Sequence, residues 1–198
     1  MANKVYNMAG GLHSAAAYSA FEDALYGSCV ANETSFEVGA GTAMNANITA
    51  GNGLISTGTG FARRIGSDAT NTVAISAAST ANPRIDAVVA YIDNAVTPTT
   101  EVVDNTNNIL KFKAVTGTPA ATPVAPTSSA IQSSVGAGNP YMLLAYVLVP
   151  TSASSASTCT FTDVRKVAGN VRLQLSTTDI GEGAALPEGT LYGVYEES

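Results

Sequence analysis

RIDAVVAYI (Arg84–Ile92) is the stretch that decides the fold. β-Branched and aromatic residues dominate it, and its apolar character is nearly continuous. That predicts a strand covered on both faces. Asn82-Pro83 marks a turn just before it. YMLLAYVLV (Tyr141–Val149) is a second stretch of the same kind and ends at Pro150. Between them, ILKFKAV (Ile109–Val115) alternates: Ile109, Lys111 and Lys113 point one way, and Leu110, Phe112 and Ala114 the other. With a turn over Asn105–Asn108, the pattern predicts a hairpin in which strand 84–96 returns through 100–115.

Upstream, from about Phe36, short apolar runs are broken by Gly, Asn and Pro. Ala43–Ile48 leads into AGNG (Ala50–Gly53), LISTG and FARRIG, and Val73 and Ile75 alternate with polar residues over Asn71–Ser76. Downstream, TGTPAATPVAP (Thr116–Pro126) carries three prolines, which remove ladder donors. It reads as an extended, polyproline-like surface connection, followed by a polar stretch to Asn139-Pro140. CTFTDVRKV (Cys159–Val167), VRLQLS and TLYGVYE supply further strands, the last two around a loop at Gly181–Pro187.

The one clear helix lies near the start. Ser14 caps it, Gly27 ends it, and Tyr18, Phe21 and Leu25 form its apolar face, with Glu22 and Asp23 opposite. That face packs either on its own domain or on a neighbouring subunit, so Tyr18, Phe21 and Leu25 are the interface candidates. Short strands at this spacing with one N-terminal helix predict a mainly β fold, a β-sandwich or jelly-roll-like domain. The expected division is an N-terminal arm with the helix (1–33), a β-sandwich module (34–168) and a C-terminal extension with short strands (169–198).

Composition limits the chemistry. Charged residues make up 12% of the 198, about half the usual share, and Ala, Thr, Ser, Gly and Asn take their place. Such a surface is either buried against neighbouring subunits or is the Thr/Ser-rich exterior of an all-β domain. The net charge of −6, with scattered basic residues, argues against nucleic acid. Cys29 and Cys159 match no metal or redox spacing and read as reduced thiols. No signal-peptide pattern is visible at the start, and the apolar run 141–149 is too short to cross a bilayer as a helix. The expectation is a soluble chain with no membrane contact.

No enzyme constellation emerges. His13 is the single histidine, which removes His-paired nucleophiles and His-rich metal sites. The pairs Gly39/Gly41, Gly51/Gly53 and Gly58/Gly60 lack the third glycine or lysine of a phosphate loop and read as turn glycines. Neither catalysis nor a cofactor is expected. One charged constellation remains. Arg84 and Asp86 share a face of their strand, and Asp163 and Arg165 repeat the pattern in reverse. If the two strands are neighbours, Arg84–Asp163 and Asp86–Arg165 pair across them and pin the register; a ligand or ion site is the alternative.

The order of these motifs resembles a recurring module of phage tail proteins. The matching stretches are GTAMNANITAGNGLI (Gly41–Ile55), NPRIDAVVAYID (Asn82–Asp93), KAVTGTPAATPVAP (Lys113–Pro126), LLAYVLVP (Leu143–Pro150) and FTDVRK (Phe161–Lys166). The module occurs in baseplate upper proteins and in the N-terminal shoulder of receptor-binding proteins of siphophages infecting Gram-positive hosts. Here it covers roughly residues 36–168, with Ala46 and Ile48 where family strands often carry valine. The resemblance implies a β-sandwich attachment module that is homo-oligomeric, often trimeric, and holds a tail-tip or fibre component among other virion proteins after assembly in the host cytoplasm. Longer relatives continue into a neck and a host-gripping head. With thirty residues, 169–198, after the module, an adaptor, baseplate or short-fibre role is expected over direct receptor contact. Two alternatives are a capsid head fibre or decoration protein, and a module binding host-wall glycan. The latter would have to stack sugars on Tyr141, Tyr146, Tyr192 or Tyr195, since the chain has no Trp.

Overall fold

A computed structural model describes residues 15–96, 109–168, 172–176 and 190–194, with side chains over 19–96 and 109–168. In chain order the elements are α1 (Ala15–Tyr26), β1 (Cys29–Val30), β2 (Val38–Ala40), β3 (Asn45–Ile48), β4 (Gly51–Ser56), β5 (Ala62–Ser67), β6 (Asn71–Ala74), β7 (Arg84–Ile92), β8 (Leu110–Val115), α2 (Ser128–Val135), β9 (Tyr141–Val149), β10 (Thr160–Asp163), β11 (Arg172–Ser176) and β12 (Thr190–Val194). The protein is mainly β. It divides into two compact units, Met1–Val167 and Ala168–Ser198. In the second, β11 and β12 pair in parallel.

The first unit holds three sheets, ordered β1-β4-β5, β2-β3-β6 and β10-β9-β7-β8. All three feed one hydrophobic cluster, with Val30 from β1, Ile48 from β3, Ile55 from β4, Val73 from β6, Val88 from β7 and Val147 from β9. Fully burying each such side chain contributes about 1.5–3 kcal/mol. Phe36 is also buried here and meets the Phe112 ring at 5.6 Å between centroids, tilted by 55°. β7 sits centrally and is covered on both faces, as its sequence predicts. Val88, Ala90 and Ile92 enter the shared cluster, and Ala87 and Val89 enter a second one beneath α2.

β7 pairs antiparallel with β8, so the predicted hairpin partners are found, from Ala87 opposite Val115 to Ile92 opposite Leu110. The expected turn at Asn105–Asn108 lies outside the described residues. On its other side β7 pairs with β9, where Val88 faces Ala145 and Val89 faces Leu143. Leu144 is therefore the extra residue of a bulge. It resets the alternation so that Met142 and Leu144 on one side of it, and Val147 and Val149 on the other, all reach the same core.

Two readings change. The stretch 128–135, expected only as polar chain, is α2. Thr127 caps it by accepting from the Ala130 N–H at 3.2 Å, and Ile131 and Val135, four apart, are its buried face. The glycines differ too. Gly58 and Gly60 do sit in a turn with positive φ, but Gly51 and Gly53 lie within β4. A Cβ at Gly53 would come 2.6 Å from the Cys29 carbonyl oxygen, and one at Gly51 2.5 Å from Ser35 Cα. These glycines allow close backbone approach.

Gly117 is the tightest of the backbone approaches: an added Cβ would stand 2.0 Å from the Ile85 carbonyl oxygen. Gly117→Ala should cost about 1–3 kcal/mol by overpacking. Gly39→Ala, at an open position in β2, should leave the urea midpoint nearly unchanged. Equal midpoints for the two variants would contradict the packing described.

Candidate functional site

The charged residues singled out in the sequence form two clasps. Arg84 is 2% exposed and Asp86 fully buried, both on the core-facing side of β7. Arg84 Nε donates to Asp86 Oδ1 at 2.8 Å and Nη2 to Oδ2 at 3.1 Å, a bidentate fit. Nη1 donates to the Ala77 carbonyl at 2.8 Å, and Nη2 also to that of Ser76 at 2.6 Å. Asp86 Oδ1 accepts a further bond from the Gly117 N–H at 2.8 Å. Each guanidinium nitrogen thus has an acceptor, and the pair fastens two irregular segments, one after β6 and one after β8, to the central strand.

The second clasp is smaller and nearer solvent. Arg165 Nε donates to Asp163 Oδ1 at 2.9 Å and Nη2 to Oδ2 at 2.7 Å, while Nη1 donates to the Ser35 carbonyl at 2.6 Å. The expected cross-strand lattice is not formed, because each arginine takes the carboxylate two residues away in its own segment. The reason is topological. β9 lies between β7 and β10, so the two charged strands are two ladder spacings apart, roughly 10 Å. The hydrogen bond from Arg165, the larger cause, holds the Asp163 carboxyl below its ordinary range, and that bond likewise raises Arg165.

Around the clasps the chain is closed on itself. Val30 and Val167 form a parallel bridge, the Val30 N–H donates to the Lys166 carbonyl at 2.8 Å, and Lys166 Nζ donates to the Tyr26 carbonyl at 3.1 Å. Cys29 and Cys159 are both free thiols. Burial raises each above its ordinary pKa, with the Asp86 charge adding to the effect at Cys159. Low thiolate content makes both poor nucleophiles.

The N-terminal helix is held to its domain by polar side chains. Ser19 Oγ donates to the Ala62 carbonyl, and the Glu22 carboxylate accepts from Arg64, tying α1 to β5. Phe21 and Leu25 turn outward, 59% and 54% exposed. The Tyr18 side chain lies outside the described part, as do His13 and Tyr195. Tyr141 and Tyr146 are half-buried against the cluster beneath α2. Among the described residues, no group of three or more His, Cys, Asp or Glu side chains is placed to hold a metal, and no helix is long and apolar enough to cross a membrane. Compared with protein-family models, curated proteins and solved structures, the chain matches none.

Removing one member of a buried pair strands the other, at a cost of about 3–5 kcal/mol. Arg84→Ala and Asp86→Ala should each lower stability by this order in urea titrations. The double variant should lose less than the two losses added together, and strict additivity would contradict the coupling. At the second clasp the depressed Asp163 carboxyl contributes stability that is present above the ordinary carboxylate range and lost as the pH falls through its folded-state value. The gap in stability between the native chain and Asp163→Asn should therefore be widest near neutral pH and narrow in acid, read from denaturant midpoints along a pH series.

Proposed function

We propose that this chain is a structural protein of a tailed bacteriophage particle, a tail, baseplate or fibre attachment component that works through protein–protein interfaces. The observation that carries the reading is that α1 is tied down by polar side chains while two of its large apolar ones face outward. A helix that seats Ser19 and Glu22 on its own domain and turns Phe21 and Leu25 to solvent leaves apolar surface that a second protein surface would bury. The low charge of the chain agrees with a protein that spends its life packed among neighbours.

The motif order supports the same reading. The PRID and GTP stretches, more than thirty positions apart, meet through the Asp86–Gly117 hydrogen bond. The FTDVR stretch folds into the second clasp. The stretches that carry the resemblance thus serve one scaffold, as expected of an attachment module. The proposed state is a homo-oligomer, a trimer first, located in the virion beside other virion proteins. A head-fibre or decoration role uses the same surfaces and differs in location.

The test is the mass of the full chain in solution together with its location in purified particles by labelled electron microscopy. Trimers that co-purify with tails are expected. Phe21→Ser with Leu25→Ser should lower incorporation into particles several-fold while leaving the melting temperature within a few degrees of the native chain, because both side chains are already exposed. A monomer absent from particles would overturn the proposal.

A further inference from the structure

Of the four arginines whose side chains are described, three rest on carboxylates: Arg64 on Glu22, Arg84 on Asp86 and Arg165 on Asp163. Arg63 is the fourth. It is exposed and, among the described residues, has neither an acidic partner nor a hydrogen bond. In an acidic chain with few cations, a guanidinium with no partner among the described residues is a marked feature. Arg63 and Phe61, two apart at the start of β5, both line an open groove of about 470 Å³. Phe61 is 41% exposed there, and the groove also takes in Thr57, Thr59, Asn94 and Pro140.

The polar groups of this groove decide what fits it. Thr57 Oγ1 donates to the Phe61 carbonyl at 2.8 Å and shares a 2.8 Å hydrogen bond with Thr59 Oγ1. Asn94 Nδ2 donates to the Gly138 carbonyl at 2.8 Å, and its backbone N–H donates to Asn139 Oδ1 at 3.0 Å. The threonine hydroxyl protons and one amide proton are thus engaged within the wall. The threonine hydroxyls keep acceptor capacity alone, and most of the donors left in the groove are those of the Arg63 guanidinium. What stays open is a phenyl face, a pyrrolidine ring and one guanidinium with its fork of donors. That combination suits a carboxylate next to an apolar side chain.

We infer that the groove docks an acidic segment of a partner protein, with an Asp or Glu carboxylate on Arg63 and the adjoining apolar side chain against Phe61 and Pro140. The inference rests on the assembly reading above and names the chemistry of one partner contact. Guanidinium and ring act together: the ion pair alone, at an exposed site, is weak, and the apolar contact lowers the local dielectric around it.

The test selects short peptides from a random display library on the immobilised full-length chain, with Arg63→Gln as the counter-selection. Selected sequences should carry Asp or Glu beside an aliphatic or aromatic residue. A synthetic copy should bind saturably to the native chain and about tenfold more weakly to Arg63→Gln, to Phe61→Ala, and when its carboxylate is amidated, each tenfold being about 1.4 kcal/mol. Both substituted positions are exposed, so unchanged melting temperatures verify that the variants fold. Peptides without carboxylates, equal binding to Arg63→Gln, no saturable binder, or Arg63-dependent binding of an acidic oligosaccharide in place of peptide would each overturn the inference. Its failure is distinct from failure of the assembly reading, which is judged by presence in particles.

Discussion

A guanidinium in a protein core is costly unless acceptors meet its donors. Arg84 meets this requirement with both oxygens of Asp86 and with two backbone carbonyls, and Asp86 takes an amide from the far side. Much of the first unit is arranged around that demand. The segment after β6 passes where its carbonyls at Ser76 and Ala77 can accept. The segment after β8 comes so near β7 that only glycine fits at position 117. The Arg165 clasp repeats the device closer to solvent, reaching the Ser35 carbonyl. In both places the arginine fixes irregular backbone that no sheet partner would otherwise hold.

Strands were legible in the sequence where the pattern was strong. RIDAVVAYI and YMLLAYVLV carry enough β-branched and apolar residues to announce buried strands, and the alternation of ILKFKAV sets apart Leu110, Phe112 and Ala114, which pack on the core. Helix α2 was not legible in the same way. Its eight residues include only two large apolar side chains, spaced four apart, and a Thr cap preceded by prolines was the one further signal. The cross-strand Arg–Asp pairing required the two strands to be neighbours, and strand order belongs to tertiary structure. Nothing in the spacing of 84, 86, 163 and 165 reveals that β9 comes between them.

The outward surfaces were the least legible. The heptad-like spacing of Tyr18, Phe21 and Leu25 marks a face but not its direction, and here short polar contacts from Ser19 and Glu22 set the direction. In FARRIG, the adjacent arginines look equivalent, yet one lands on Glu22 and the other stands in a groove. The alternation Phe61-x-Arg63 was the available signal. What it lacked was the opposite wall, which comes from the ends of β7 and β9, far away in the chain.

The parallel bridge between Val30 and Val167 brings the first strand and the last residue of the first unit side by side. In mechanical terms this is a shear arrangement. Tension entering ahead of Val30 and leaving after Val167 would draw the two segments lengthwise past each other, because they run in the same direction. The bonds Val30–Lys166, Arg165–Ser35 and Lys166–Tyr26 would then share the load together instead of opening one after another. A fold closed in this way meets a pull along its own chain in shear.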